Sequence, residues 1–237
     1  MLWFRQDLRL SDNPARAAAL ERRSPVIPVF IWAPEEEGAW PPGAASRWWL
    51  HRSLASLSAE LEKRGSRLII RRGPTAAALA RLVAESGADA VFWNRRYEPA
   101  AVARDRGVKL KLRESGLASD SFNGDLLFEP WTIRNSSGQP FQLFTPFWRA
   151  CLRDAIAPPS KDAPRLLPSP DRWPHSLNLM DLGLEPAVDW AGGFREVWQP
   201  GEPGARRELQ RFLQEGIAEY PANPRQTSPG LISPKCR

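Results

Sequence analysis

The sequence predicts a doubly wound α/β domain built on a five-stranded parallel sheet, and three observations carry that expectation. Short apolar runs alternate with segments of helical period. The runs are apolar throughout instead of alternating with polar residues, as in strands buried on both faces. Glycine directly follows three of the four helical segments. Parallel strands joined through helices need right-handed crossovers, which place helices on both sides of the sheet.

The first strand is Leu2-Trp3-Phe4. A helix is expected over Asn13 to Arg22, opened by Asp12 or Asn13 as cap with Pro14 just inside. The second strand is Val26 to Trp32, and a helix follows over Ser46 to Arg64. The third strand is Arg67 to Ile70, the next helix Thr75 to Ser86, and the fourth strand Ala90 to Trp93. A helix over Pro99 to Ser115 leads to a weaker fifth strand near Ala118 to Phe122. Gly65, Gly87 and Gly116 supply the left-handed conformation that ends a helix. Beyond residue 123 the stretch Asp125 to Gln142 reads as loop, and a helix is expected over Thr145 to Ala155. Residues 157–175 hold six prolines and read as an extended segment. A last helix is expected over Gly204 to Gly216.

Composition narrows the function classes. With 237 residues, 42% apolar and 25% charged, the chain has a globular make-up and the length for one or two domains. Its longest uncharged apolar run, Pro25 to Pro34, is about half of the roughly 20 residues a membrane span needs, and no secretory leader pattern opens the chain. A cytoplasmic protein is the expectation. Cys151 and Cys236 make no disulfide framework, and with only His51 and His175 there is no metal-ligand spacing. The net charge of +6 lies in the first half, where residues 1–113 carry 20 Lys and Arg against 12 Asp and Glu. Neither a Gly-x-Gly-x-x-Gly nor a Walker sequence occurs.

In a doubly wound sheet ligands bind beyond the carboxyl ends of the strands, so the clusters found there are the functional candidates. The first, Trp3-Phe4-Arg5-Gln6-Asp7-Leu8-Arg9-Leu10-Ser11-Asp12-Asn13, brings two Arg and two Asp directly after the first strand. The second, Ser46-Arg47-Trp48-Trp49-Leu50, opens a helix whose N–H groups and guanidinium could meet an anion, with packing the favoured role for one of its tryptophans. The third, Trp93-Asn94-Arg95-Arg96-Tyr97-Glu98-Pro99, gathers an amide, two guanidinium groups, a ring and a carboxylate.

Together with Leu127-Phe128-Glu129-Pro130-Trp131 and Phe144-Thr145-Pro146-Phe147-Trp148, these clusters resemble the amino-terminal half of the DNA photolyase and cryptochrome family. The resemblance runs from residue 2 to about 155, and Trp198 to Glu202 with the following helix look like the entry to the family's second domain. It implies a Rossmann-like domain of the kind that in the family holds an antenna chromophore: a folate, a deazaflavin or a flavin. By position, Arg5, Ile31, Trp32, Arg47, Asn94, Arg96 and Glu98 would line that pocket. Ala100 and Ala101 stand where folate-binding members carry an Asn-Glu pair, and Arg96 stands where deazaflavin-binding members tend to be acidic. A collapsed or empty pocket is therefore the leading expectation.

The resemblance further implies a deoxyribodipyrimidine photo-lyase, a flavoprotein that repairs damaged DNA. In the family, light-excited reduced FAD in a helical second domain passes an electron to a flipped-out cyclobutane pyrimidine dimer, which splits and returns it. Tyr220, Thr227 and Ser228 match the start of that FAD site, but only 37 residues follow Pro200. The chain is thus expected to be truncated before the FAD loop and shortened at its start. Its parts would be a sheet domain over 1–123, a packed connection over 124–156, an interdomain linker over 157–200 and the start of the helical domain over 201–237. Alone it is expected to bind no stoichiometric FAD and split no dimers, having no catalytic residues of its own, and to self-associate through exposed interdomain surface. The alternative is a non-catalytic chromophore- or nucleotide-binding module, cryptochrome-like or a decayed remnant. Trp131, Phe144, Phe147 and Trp148 are expected to pack beneath the connection, Cys151 to be buried, and Trp173, Trp190 and Trp198 to have no electron-transfer role.

Overall fold

A computed structural model describes residues 1–154 and 160–218. The five expected strands form one parallel sheet in the order β3-β2-β1-β4-β5, with β1 Leu2–Phe4, β2 Pro28–Trp32, β3 Ile69–Arg72, β4 Ala90–Asn94 and β5 Ala118–Phe122. The helices α1 Pro14–Glu21, α2 Ala44–Glu62, α3 Thr75–Ser86 and α4 Pro99–Glu114 connect them. The third strand lies two residues later than the apolar pattern suggests, because Ile31 and Trp32 pair with Arg71 and Arg72 and carry the ladder past the apolar run.

Alternation along each strand divides the core between two faces. Leu2, Phe4, Phe30, Ile70 and Phe92 meet Ala15 and Ala19 of α1 and Leu54, Leu57 and Leu61 of α2. Trp3, Val29, Ile31, Ile69, Val91 and Trp93 point the other way, to Leu79 and Leu82 of α3 and Val108 and Leu112 of α4. The helix boundaries follow the expected chemistry. Asn13 caps α1 by accepting from the Arg16 N–H at 3.0 Å, and Gly87 closes α3 at φ +65°.

From Ser160 onward the chain runs extended along the first of these faces. Leu167, Leu182 and Leu184 enter that core, and backbone bonds tie Val26 N–H to Pro168 and Leu167 N–H to Arg64. At the β3 edge, Leu177 N–H donates to the Ile70 carbonyl and the Ile70 N–H donates to Ser176 Oγ. A helix that the sequence did not suggest, α6 Gly192–Val197, follows α5 Phe144–Asp154 in chain order. It docks by setting Phe194 against Trp48 at 5.8 Å, while Trp198 meets Trp49 at 5.6 Å. The last helix, α7 Glu202–Arg211, continues into a wider π-turn at Phe212–Gly216.

One packing expectation is corrected. Phe144, Trp148 and Leu152 lie one turn apart on α5 and face outward, Phe144 being 73% exposed, and Trp131 is also exposed. Phe144 and Trp148 stack on each other instead of on the sheet domain, while α5 buries Ala150 and Cys151. Among the described residues no helix is long and apolar enough to cross a membrane, and no cluster of three metal-ligating side chains occurs.

Candidate functional site

The chain winds outward from β1 through β2 to β3 and then returns to β4 on the other side of β1. The order reverses between β1 and β4, which opens a crevice at their carboxyl ends. The loops leaving these two strands are joined at a buried polar centre. Asn94 donates to Asp7 Oδ2 at 2.6 Å and to Asn13 Oδ1 at 3.0 Å, and its own oxygen accepts the Ala15 N–H. Asp7 also accepts the Arg5 N–H. Burial pushes the Asp7 carboxyl above the usual carboxylate range, although these hydrogen bonds pull the other way.

Over the crevice lies an inner recess of about 70 Å³, walled by Trp3, Arg5, Ile31, Trp32, Arg96 and Arg104, with Glu37 among its further lining residues. Ion pairs draw its walls together. Arg5 Nη1 meets Asp105 at 2.5 Å, while Glu37 holds Arg96 at 2.7 Å and Arg104 at 3.1 Å. The recess adjoins an outer cleft of about 1080 Å³, and the two share Gln6, Pro42 and Leu50 as lining. Trp49 and Ser46 of α2 and Glu202, Arg206 and Leu209 of α7 form the cleft's far walls.

The protein's own carboxylates fill the sites where an anion would first be sought. Glu36 accepts the Thr75 N–H at 2.9 Å and so occupies the α3 N-terminus. Glu202 accepts the Leu10 N–H at 2.6 Å and the Ser11 N–H. Burial alone would raise the Glu202 carboxyl, but its bonds to Ser11, Leu10 and Arg206 outweigh this and hold it below the usual range.

Of the seven antenna candidates, Arg5, Ile31, Trp32 and Arg96 meet at the recess. The other three do not. Asn94 is spent on the loop-joining centre, Arg47 is exposed on α2, and the exposed Glu98 only braces Arg96 at 3.0 Å. Tyr220, Thr227 and Ser228 lie outside the described residues. Sequence reasoning missed Arg104, Asp105 and Glu37, which sit mid-helix or in a turn and belong to no motif. It also missed the cleft residues of α7, which meet the β1 loop across nearly 200 positions of sequence.

The third cluster has a second use. Arg95 and Tyr97 both grip Glu129, each at 2.7 Å, and so fasten the stretch before α5 to the sheet. Burial and donation to the Glu129 carboxylate push the Tyr97 phenol up to about 12. A negative acceptor favours the protonated phenol, so Glu129→Gln should bring the phenolate titration down toward 10. Absorbance titration of the parent, Glu129→Gln and Tyr97→Phe forms checks this, and an unmoved midpoint in Glu129→Gln would contradict it.

The DNA photolyase family model matches residues 1–168, well over half of the chain. The chain belongs to the DNA photolyase family. Among the family's members, the deoxyribodipyrimidine photo-lyase of Agrobacterium fabrum is 44% identical over 238 residues, a match covering 99% of this chain and 49% of that protein. Cryptochrome-2 of Arabidopsis thaliana is 40% identical over 245 residues, covering 99% of this chain and 40% of that protein. The crystal structure of a class III photolyase from Agrobacterium tumefaciens superposes with a TM-score of 0.88 at 45% identity, covering 94% of this chain and 46% of that one. The chain thus spans about half the length or less of these relatives, and its sheet, crevice and α7 all fall within that half.

Proposed function

We propose that these 237 residues form the antenna half of a light-driven deoxyribodipyrimidine photo-lyase, working in the cytoplasm on damaged DNA once joined to an FAD-binding helical half. The observation that carries this reading is the match along 99% of the chain to 49% of a photo-lyase. The size of the outer cleft supports an antenna lying there. The recess of about 70 Å³ is far below the roughly 300–1,000 Å³ of ordinary ligand pockets, whereas the outer cleft is just above that range. A planar chromophore fits the cleft against Trp49 and Leu50, with Arg5, Ile31, Trp32 and Arg96 walling the recess behind it. A folate, deazaflavin or flavin held there would supply absorption of light and transfer of its energy. The protein's part is to orient the rings and keep out water.

Splitting a dimer needs the flavin site of the helical half. The 237-residue polypeptide is therefore expected to purify without stoichiometric FAD and to show no light-dependent repair of a thymine-dimer oligonucleotide. Grafted in place of the corresponding half of the Agrobacterium fabrum relative, it should restore repair. Repair by the polypeptide alone would refute the first expectation. A folded, flavin-loaded chimera that photoreduces but does not repair would shift the reading to light signalling, as the 40% identity to a cryptochrome allows.

A further inference from the structure

A separate groove lies at the sheet margin, and the charges around it do not balance. Where β3 turns into α3, a space of about 270 Å³ opens between the strand end, the first turns of the helix and the extended segment. Arg71 and Arg72 reach it from the strand, Arg81 from the helix and His175 from the extended segment. Pro74, Ala78 and Leu177 give it an apolar lining.

The walls are fixed by bonds made outside the groove. Leu177 N–H donates to the Ile70 carbonyl and the Ile70 N–H donates to Ser176 Oγ at 2.9 Å, so the segment carrying His175 is tied to β3. Arg67 reinforces it, lying 5.0 Å from the Trp173 ring centre and donating to the Pro174 carbonyl. Arg71 pairs with Glu85 and so links strand to helix. The remaining basic side chains are free. Arg72, Arg81 and His175 are exposed, and among the described residues their side chains make no hydrogen bond or ion pair. Glu36, the nearby cap of α3, is spent on the N–H and hydroxyl of Thr75 and does not line the groove. Three guanidinium groups thus stand against one carboxylate, Glu85, which leaves two positive charges unmatched about one concavity. A cleft lined by one sign of charge concentrates the field on whatever enters it.

We propose that this groove binds a small molecule bearing a phosphate monoester. Such a group carries about −1.5 to −2 at neutral pH, which matches two unpaired guanidinium groups, whereas a carboxylate, a sulfate ester or a phosphodiester brings a single charge. Guanidinium forks meet phosphate oxygens two at a time, and His175 adds a ring N–H at the rim. The volume is just below the roughly 300–1,000 Å³ of ordinary ligand pockets, so the molecule is small, with its apolar body against Ala78 and Leu177. The groove shares no lining residue with the recess or the outer cleft and does not rest on the antenna reading.

Calorimetric titration of the 237-residue polypeptide with phenyl phosphate at constant ionic strength and about pH 8, where the ester is a dianion, tests this. Saturable one-to-one binding is expected, at least about tenfold tighter than that of phenyl sulfate, which has the same shape and one charge fewer. Arg72→Gln and Arg81→Gln should each weaken phenyl phosphate about tenfold, the loss of one charge-assisted hydrogen bond. Arg106→Gln, at an exposed position of α4 outside the groove, should leave binding unchanged. Thermal melts of the three variants beside the parent show that each is folded. Equal binding of the two esters, no saturation, or an affinity untouched in both groove variants overturns the proposal. An undamaged single-stranded oligonucleotide that binds through Arg72 and Arg81 where phenyl phosphate does not would also overturn it, and would make the groove a nucleic-acid contact.

Discussion

Replacing Asn94 with leucine is expected to lower the melting temperature by roughly 6–12 °C, the result of losing about 3 kcal/mol in a chain of this size. The side chain is 1% exposed and makes three hydrogen bonds, to Asp7, Asn13 and Ala15. Leucine fills a similar volume, so the loss comes from polar groups left without partners and not from a void. Among the described residues the buried Asp7 carboxylate then retains only the Arg5 N–H as a donor. Because Asp7 already titrates above its ordinary range, the folded state holds its proton to higher pH than the unfolded chain does. Its contribution favours folding in acid and is lost as pH rises through that raised value. Asn94→Asp should sharpen the effect, since two carboxylates would face each other at neutral pH and share a proton in acid. Thermal melts of both variants across pH check this. A leucine variant that melts with the parent, or an aspartate variant that is no better in acid, would show that the loops are held by other means.

Trp48→Ala is expected to cost about 3–5 kcal/mol, or roughly 6–20 °C, and to loosen α6. Trp48 is 2% exposed and packs against Phe194, with Arg52 lying 5.9 Å from its ring. Its neighbour Trp49 is 40% exposed on the cleft wall, so Trp49→Ala should cost within about 1 kcal/mol. Limited proteolysis should therefore open residues 190–198 more in the first variant than in the second, which among these residues loses only the contact with Trp198. Equal losses in the two would mean that α6 is held by other contacts.

The adjacent tryptophans illustrate how far the sequence could be read. Helical period shows that only one of the pair faces the core, and local pattern alone does not say which. The sheet was legible for a simple reason. Its strands are buried on both faces, so Val26 to Trp32 and Ala90 to Trp93 are continuous apolar runs with few other readings. The polar fifth strand, Ala118–Phe122, was weaker because its edge position asks for little burial. At the site, Arg5 and Arg96 were found because they leave strand ends directly. Arg104 and Glu37 were not, since each is one charged residue among several on a helix or turn, and only the fold shows which of them points inward. Asn94 stands at the expected strand end, where its amide joins the protein's own loops. An amide after a strand can serve a ligand or the protein's own loops, and the choice rests on Asp7 and Asn13, which lie some 80 positions away.

The extended segment against β3 bears on how the molecule behaves in company. Ile70, on an outer strand of the sheet, spends both its amide and its carbonyl on Ser176 and Leu177. A second molecule therefore finds no free ladder there on which to add a strand. At the opposite margin, β5 is five residues long, and its carbonyls at Ser119 and Ser121 accept from the Arg113 and Arg95 side chains. Growth into ordered fibrils by strand addition is hindered at both margins, which leaves side-chain surfaces such as the outward row of α5 as a further route by which copies could meet.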